Sequence, residues 1–268
     1  MHGPWATTDC IYDSRDVQVL NTTSPHWVIK SCPHGDESMY ELSNFLRVTT
    51  LDVKNAVETH PELYYRFGIS ETKIWYAMRA YDGHVTNNEF CRQHWKRIAC
   101  GVLRFLCSLH HTTQLVHMDI KTSNVLINIL EVQFVVGDFD QTDICTNELT
   151  HTYEDDILWY YVAMGAELDQ PLKSWRFDLV SLGYMLANLT WSADNSPWIF
   201  FPECQARRQG RGSLALSDTE LIALRENEIA KSHPLVLQYL EIIKELPWDA
   251  PVPPSKAFYK RLMSVFSS

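Results

Sequence analysis

With 268 residues, 46% of them hydrophobic, the chain is long enough for one large domain or two small ones with a sizeable core. Its 33 acidic residues outnumber 23 Lys plus Arg for a net charge of −10, which argues against a protein that tracks nucleic-acid phosphates. The seven cysteines are odd in number and contain no C-x-x-C pair, so they read as reduced thiols of an intracellular protein, cytoplasmic or nuclear. No secretory signal and no membrane span is expected, which leaves the sequons at Asn21 and Asn188 idle.

In chain order, short β-like runs fill 5–12, 16–20, 26–32, 63–69 and 73–81, rich in Val, Ile, Trp and Thr. One helix interrupts them. Asp36 reads as its N-cap, and Met39, Leu42, Phe45 and Leu46 share one face. Residues 49–59 fit no expected element. From about residue 85 the pattern turns helical. Trp95, Ile98, Ala99, Val102, Leu103, Leu106 and Leu109 recur at three and four, predicting an amphipathic helix over 89–110. Strands at 125–127 and 132–136 follow, then a loop-rich stretch over 140–175. A second apolar helix carries Leu179, Leu182, Gly183, Met185, Leu186 and Leu189. Beyond it come a helical tail over 218–245, a Pro-rich stretch over 247–254 and a short helix over 255–266. A β-rich part ahead of a helical part predicts an α+β chain.

Residues 117–124 read His-Met-Asp-Ile-Lys-Thr-Ser-Asn, and 135–140 read Val-Val-Gly-Asp-Phe-Asp. One loop thus holds an Asp, a Lys two residues on and an Asn five residues on, and a second Asp lies beyond a short apolar hairpin. Phosphoryl transfer from a magnesium nucleotide calls for these groups: a carboxylate to orient a hydroxyl, a cation near the moving phosphate, and two oxygen ligands for the metal. Any single Asp or Asn in this region is more often a turn residue. Five spaced matches, after a strong helix and around a hairpin, are not explained that way.

The arrangement H-x-D-x-K-x-x-N followed by D-F-x resembles the catalytic and metal-binding loops of the protein kinase family. The resemblance implies an α+β, two-lobed protein-kinase-like fold. A small β-rich N-terminal lobe would span 1–82 and a larger helical C-terminal lobe 83–268, together one kinase-like domain. It further implies that Asp119 orients the substrate hydroxyl, that Lys121 steadies the γ-phosphate as in Ser/Thr-type kinases, and that Asn124 and Asp138 hold Mg²⁺. His117 matches a structural histidine beneath the catalytic loop. Asp178-Leu-Val-Ser-Leu-Gly183 resembles the start of the family's central helix, and Gly165-Ala-Glu167 the A-P-E motif. In the small lobe Val28-Ile29-Lys30 resembles the strand whose lysine grips the α- and β-phosphates of ATP, although a lone Lys ending an apolar strand is more often a solvated edge residue. Glu41 is the best-placed partner for Lys30, with Glu37 one turn earlier, and a surface role for Glu41 is open. Met78 matches the gatekeeper, and Ala80 and Tyr81 the backbone that meets adenine.

The chain also departs from the family pattern. Counting back from Lys30 puts Thr8, Cys10 and Asp13 where a phosphate-cradling loop would carry glycines. Met118 replaces the arginine that pairs with a phosphorylated activation loop, so no such phosphorylation is expected. Asp140 replaces the glycine of D-F-G, which would either add a metal contact or lock the loop in one state. The large lobe looks trimmed, lacking the late helix and arginine that pair with Glu167. Such erosion resembles viral kinases of herpesvirus or poxvirus type.

Two other groupings carry less. His110-His111 near Cys107 and His117 has no metal-site spacing and reads as the end of a helix. Trp191, Trp198, Phe200 and Phe201 read as core before docking surface. Two functions stay open at this point. One is an ATP- and Mg²⁺-dependent Ser/Thr protein kinase acting on a protein substrate. The other is a pseudokinase that binds and regulates another protein. Neither nucleic acid nor membrane is expected as a partner.

Overall fold

The structure is a computed structural model, and it describes residues 7–13, 18–22, 27–49, 66–86, 88–146, 173–190, 229, 231 and 233–267. The expectations for Gly165, Glu167, residues 49–59, the aromatic segment after Asn188 and most of the 218–245 helix concern residues outside that set, apart from residue 49 and the pieces named below.

Five antiparallel strands form the N-terminal sheet: β1 (Thr7–Asp13), β2 (Gln18–Thr22), β3 (Trp27–Pro33), β4 (Arg66–Ile69) and β5 (Lys73–Arg79), in the order β1-β2-β3-β5-β4. Lys30 therefore does not end an edge strand. It sits in the middle of the central strand, flanked by Val19 on β2 and Tyr76 on β5. The Val-Ile pair before it fills the core, and the strand runs on through Ser31 and Cys32, both buried.

Helix α1 (Asp36–Thr49) packs against this sheet through Leu42, Phe45 and Val48. Asp36 is its first helical residue, not its cap: the Gly35 carbonyl accepts the Met39 amide, so the cap position falls one residue earlier. Asp36 and Glu37 then lie in the first turn, where carboxylates favour the positive end of the helix dipole.

The stretch over 80–86 leads into the C-terminal lobe and is tied to it by the backbone. The amides of Asp82 and Val85 donate to the carbonyls of Ile127 and Val125, and the Asp82 carboxylate accepts the Ile129 amide at 2.7 Å. Strands β6 (Gly83–His84), β8 (Val125–Asn128) and β9 (Gln133–Val136) make a three-stranded sheet, while β7 (Leu115–Val116) pairs with β10 (Asp143–Ile144). The predicted 89–110 helix is two: α2 (Glu89–Gln93) and α3 (Trp95–Thr113), broken at His94 (φ −104°, ψ 10°). In the apolar stripe of α3, Ile98, Ala99, Val102, Leu103, Leu106 and Leu109 are buried and Trp95 partly so. Each buried Ile, Val or Leu side chain stabilises the fold by about 1.5–3 kcal/mol relative to exposure.

Helix α4 (Trp175–Thr190) is apolar nearly all round, as expected of a helix in the centre of a lobe, and packs on α3 and on α5 (Pro234–Ile243). Its Gly183 lets Leu240 and Tyr239 approach: a Cβ there would stand 2.5 Å from Leu240 Cδ2. Helix α6 (Lys256–Val265), capped by the Ser255 hydroxyl, closes the chain's described part over α3 and α5. No helix among the described residues is long and apolar enough to cross a membrane. The result is a small β-rich N-terminal lobe joined to a larger helical C-terminal lobe, an α+β chain.

Candidate active site

The register of the N-terminal sheet builds the first half of the site. Lys30 on β3 faces Tyr76 directly across on β5, and both reach Glu41 in the second turn of α1. The Lys30 ammonium pairs with Glu41 Oε1, and the Tyr76 hydroxyl donates to the same oxygen at 2.6 Å. Glu41 is buried whereas Glu37 is exposed, so of the two candidates it is Glu41 that meets Lys30. Lys30 also donates to Asp138 Oδ1 at 2.9 Å, spanning 108 positions of sequence. Burial alone would push the Lys30 ammonium down, but Tyr76, Asp138 and Glu41 outweigh it and hold the group well above its ordinary value. Burial would likewise raise the Asp138 carboxyl, and Lys30 reverses this and lowers it. Cys32, beside Glu41, is an inert thiol: burial and the Glu41 charge push it up to about 11.

The second half rests on the loop between β7 and β8. Asp119 is buried, and Lys121 Nζ approaches its Oδ2 at 2.6 Å. Asn124, in the 3₁₀ turn Thr122–Asn124, donates its amide nitrogen to Asp119 Oδ2 at 2.7 Å and to the Asp119 carbonyl at 3.0 Å. That orientation leaves the Asn124 side-chain oxygen as an acceptor on its other edge. Burial raises the Asp119 carboxyl to about 6, against the opposing pull of Lys121 and His117.

Two Asp residues hold the backbone of these loops, one from below and one by its own conformation. Asp178 on α4 is fully buried and accepts the amides of His117 (2.7 Å) and Met118 (2.8 Å) and a His110 ring nitrogen (2.9 Å). Those bonds secure Met118 at φ 65°, a left-handed conformation costly for a residue with a side chain. On its other ring nitrogen His110 pairs with the hydroxyl of Tyr259 in α6. The histidine pair is thus a structural helix end: His111 meets the Pro254 carbonyl at 2.8 Å. His117 packs beneath the loop, its ring near Gly137 O (3.2 Å) and the Asp119 amide (3.3 Å) and edge-on to Phe139. Asp138 itself is left-handed at φ 64°. Asp140 is not, so the position that resembles the D-F-G glycine needs no glycine here.

Oxygen atoms of Asp119, Asp138 and Asp140 lie within 4.8 Å of one another. An all-oxygen donor set of this size, together with the Asn124 side-chain oxygen, fits a hard divalent cation such as Mg²⁺. At the sheet end of the cleft Met78 stands opposite Val28, and Ala80 and Tyr81 follow β5. The Tyr81 hydroxyl is buried without a hydrogen-bond partner, and burial pushes it up. Arg79 beside it reaches Glu131 of the C-terminal lobe at 2.9 Å. Thr8, Cys10 and Asp13 lie within β1 rather than at a turn, because β1 runs to Asp13 and pairs there with Gln18. Residues 14–17, between β1 and β2, lie outside the described residues.

Tyr76, Asn44 and Tyr259 escaped sequence reasoning. The alternation of β5 marks Tyr76 as facing the same side as Lys30 once the strands are registered, but nothing local announces a buried phenol as a carboxylate donor. Asn44 is legible only as a polar residue on an apolar helix face.

No family model matches the chain, and no curated protein matches it in sequence. Among solved structures it is similar to vaccinia related kinase 3, at 16% identity and a TM-score of 0.67, over 98% of this chain and 86% of that one. At that identity the likeness speaks for the fold alone. The sheet order, the helix positions and this match agree: the chain has the two-lobed protein-kinase-like fold.

Proposed function

We propose that this protein is an ATP-dependent Ser/Thr protein kinase. The observation that carries the reading is the convergence on one cleft of Lys30 with Glu41, Asp138, and the Asp119–Lys121–Asn124 group. Lys30 grips the α- and β-phosphates, oriented by Glu41. Asp119 accepts the proton of a protein Ser or Thr hydroxyl as its oxygen bonds to the γ-phosphorus and the bond to ADP breaks. Lys121 offsets the charge on the moving phosphoryl group. Asn124 and Asp138 would hold Mg²⁺, which when bound neutralises phosphate charge. Met78, Ala80 and Tyr81 line the adenine end.

A second reading is favoured by one specific feature. From Thr7 to Thr22 the sequence carries no glycine, where the family's phosphate-cradling loop would carry several. On that reading the protein is a pseudokinase that binds and regulates a partner. Mg-ATP binding by thermal shift and phosphate incorporation, comparing wild type with Asp138→Ala and Lys30→Met, separates the two. Incorporation lost in both variants supports the kinase. A wild type that neither shifts nor incorporates refutes it.

A further inference from the structure

We infer that the active arrangement is held together by a clamp built from Asn44, Tyr40, Asp143 and Lys173, in place of a phosphorylated loop. This deepens the kinase reading and rests on it. The inner part of the clamp is buried. Asn44 lies one turn beyond Glu41 on α1 and is 1% exposed. Its side-chain amide donates to two carbonyls, Thr142 at 2.6 Å and Phe139 at 3.3 Å. Those carbonyls belong to one turn, closed by the Thr142 amide on Phe139 O at 3.2 Å. One amide group thus fastens the helix that carries Glu41 to the turn that directly follows Asp138. Phe139 completes the contact by packing between Phe45 of α1 and Phe105 of α3.

The outer part is ionic. Asp143 accepts the Tyr40 hydroxyl at 2.7 Å, pairs with the Lys173 ammonium and takes the Ile144 amide at 2.7 Å. Partial burial works against its ionisation, but these donors hold the carboxyl below the usual carboxylate range. Asp143 is therefore an anion at neutral pH, fixed between α1 and the residues that lead into α4. It lies on β10, opposite Val116, immediately before the catalytic loop. A phosphate on a loop performs this kind of task by gathering cations and hydroxyls from separate elements. Here a carboxylate of the chain already does so. The position before Asp119, where an arginine would meet such a phosphate, is Met118, 1% exposed in the core.

The clamp is tested on the full chain, stripped of phosphate by a phosphatase that is then removed, with Asn44→Ala and Asp143→Asn as variants. Hydrogen–deuterium exchange is read over 36–49 and 138–146, and kcat and KM for ATP by phosphate incorporation. Both variants should speed exchange in both segments by about tenfold while α3 and α4 keep their protection. The kcat/KM for ATP should fall by about tenfold, because turnover is confined to the assembled population and that population drops. Asp143→Asn is partly exposed and guards against a result that merely reflects misfolding of Asn44→Ala. Unchanged exchange in both variants overturns the clamp, and so does a wild type whose turnover vanishes on dephosphorylation. A wild type inactive both before and after dephosphorylation overturns the kinase reading instead, and exchange still decides the clamp.

Discussion

Tyr76 donates its hydroxyl to the same Glu41 oxygen that Lys30 pairs with, so one buried carboxylate is held from two adjacent strands. Tyr76 is buried, and desolvation and Glu41 hold its phenol well above the ordinary value, so it is a donor at neutral pH. Tyr76→Phe removes the donor and leaves the shape. A hydrogen bond to a charged group contributes about 1.5–3 kcal/mol, and urea unfolding should register a loss of that size. An unchanged unfolding midpoint would show that Lys30 alone satisfies Glu41.

The Asp119 carboxyl gives a pH dependence with a definite sign. Its proton stays on to about 6 in the folded chain, against 3.8 for the ordinary value. The folded state therefore binds the proton more tightly, and stability from this group is present below about pH 4 and is lost as pH rises through 6. Relative to Asp119→Asn, metal-free wild type should lose about 2–3 kcal/mol between pH 4 and 7. Parallel stability curves for the two proteins would contradict a buried, reluctant Asp119.

Asp178 satisfies three buried groups at once, the amides of His117 and Met118 and the ring of His110. Asp178→Ala strands all of them and frees the left-handed Met118 from its restraint. A loss of about 3–5 kcal/mol follows from breaking a buried charged network on one side. Chemical denaturation measures it, and a loss under 1 kcal/mol would mean that water replaces the carboxylate.

Gly183→Ala probes packing alone, since a Cβ would meet Leu240 and Tyr239 at 2.5 and 3.1 Å in a filled core. Overpacking of this kind costs about 1–3 kcal/mol. Adding Leu240→Ala to the same chain should recover part of it, and strict additivity of the two losses would exclude the clash as the cause.

Much of this was legible from residues alone, and the boundary has physical reasons. The run from His117 to Asn124 and Asp138 stands out because its chemistry demands fixed residue types at fixed spacing within one loop. The stripe on α3 stands out because burial imposes a helical period. Lys30 looked like a strand end because Val28-Ile29 precedes it, and its place on the central strand follows only from pairing with β2 and β5. The break at His94 left the apolar period almost intact, so the helix read as one. Asn44 and Tyr259 act over 95 or more positions of sequence, through carbonyls and a histidine that no local pattern ties to them. That the left-handed residue of the loop after β9 is Asp138 and not Asp140 follows only from the backbone, which the residue types there do not announce.

Four carboxylates, Glu41, Asp119, Asp138 and Asp140, share the cleft with two ammonium groups, Lys30 and Lys121. Counted formally, the cluster has two more carboxylates than ammonium groups. It is therefore repulsive to a bare polyphosphate and attractive to one that arrives already neutralised in part by a divalent ion. On the kinase reading proposed above, such a cleft is a valence filter that discriminates between forms of the same nucleotide before any atom of it is touched.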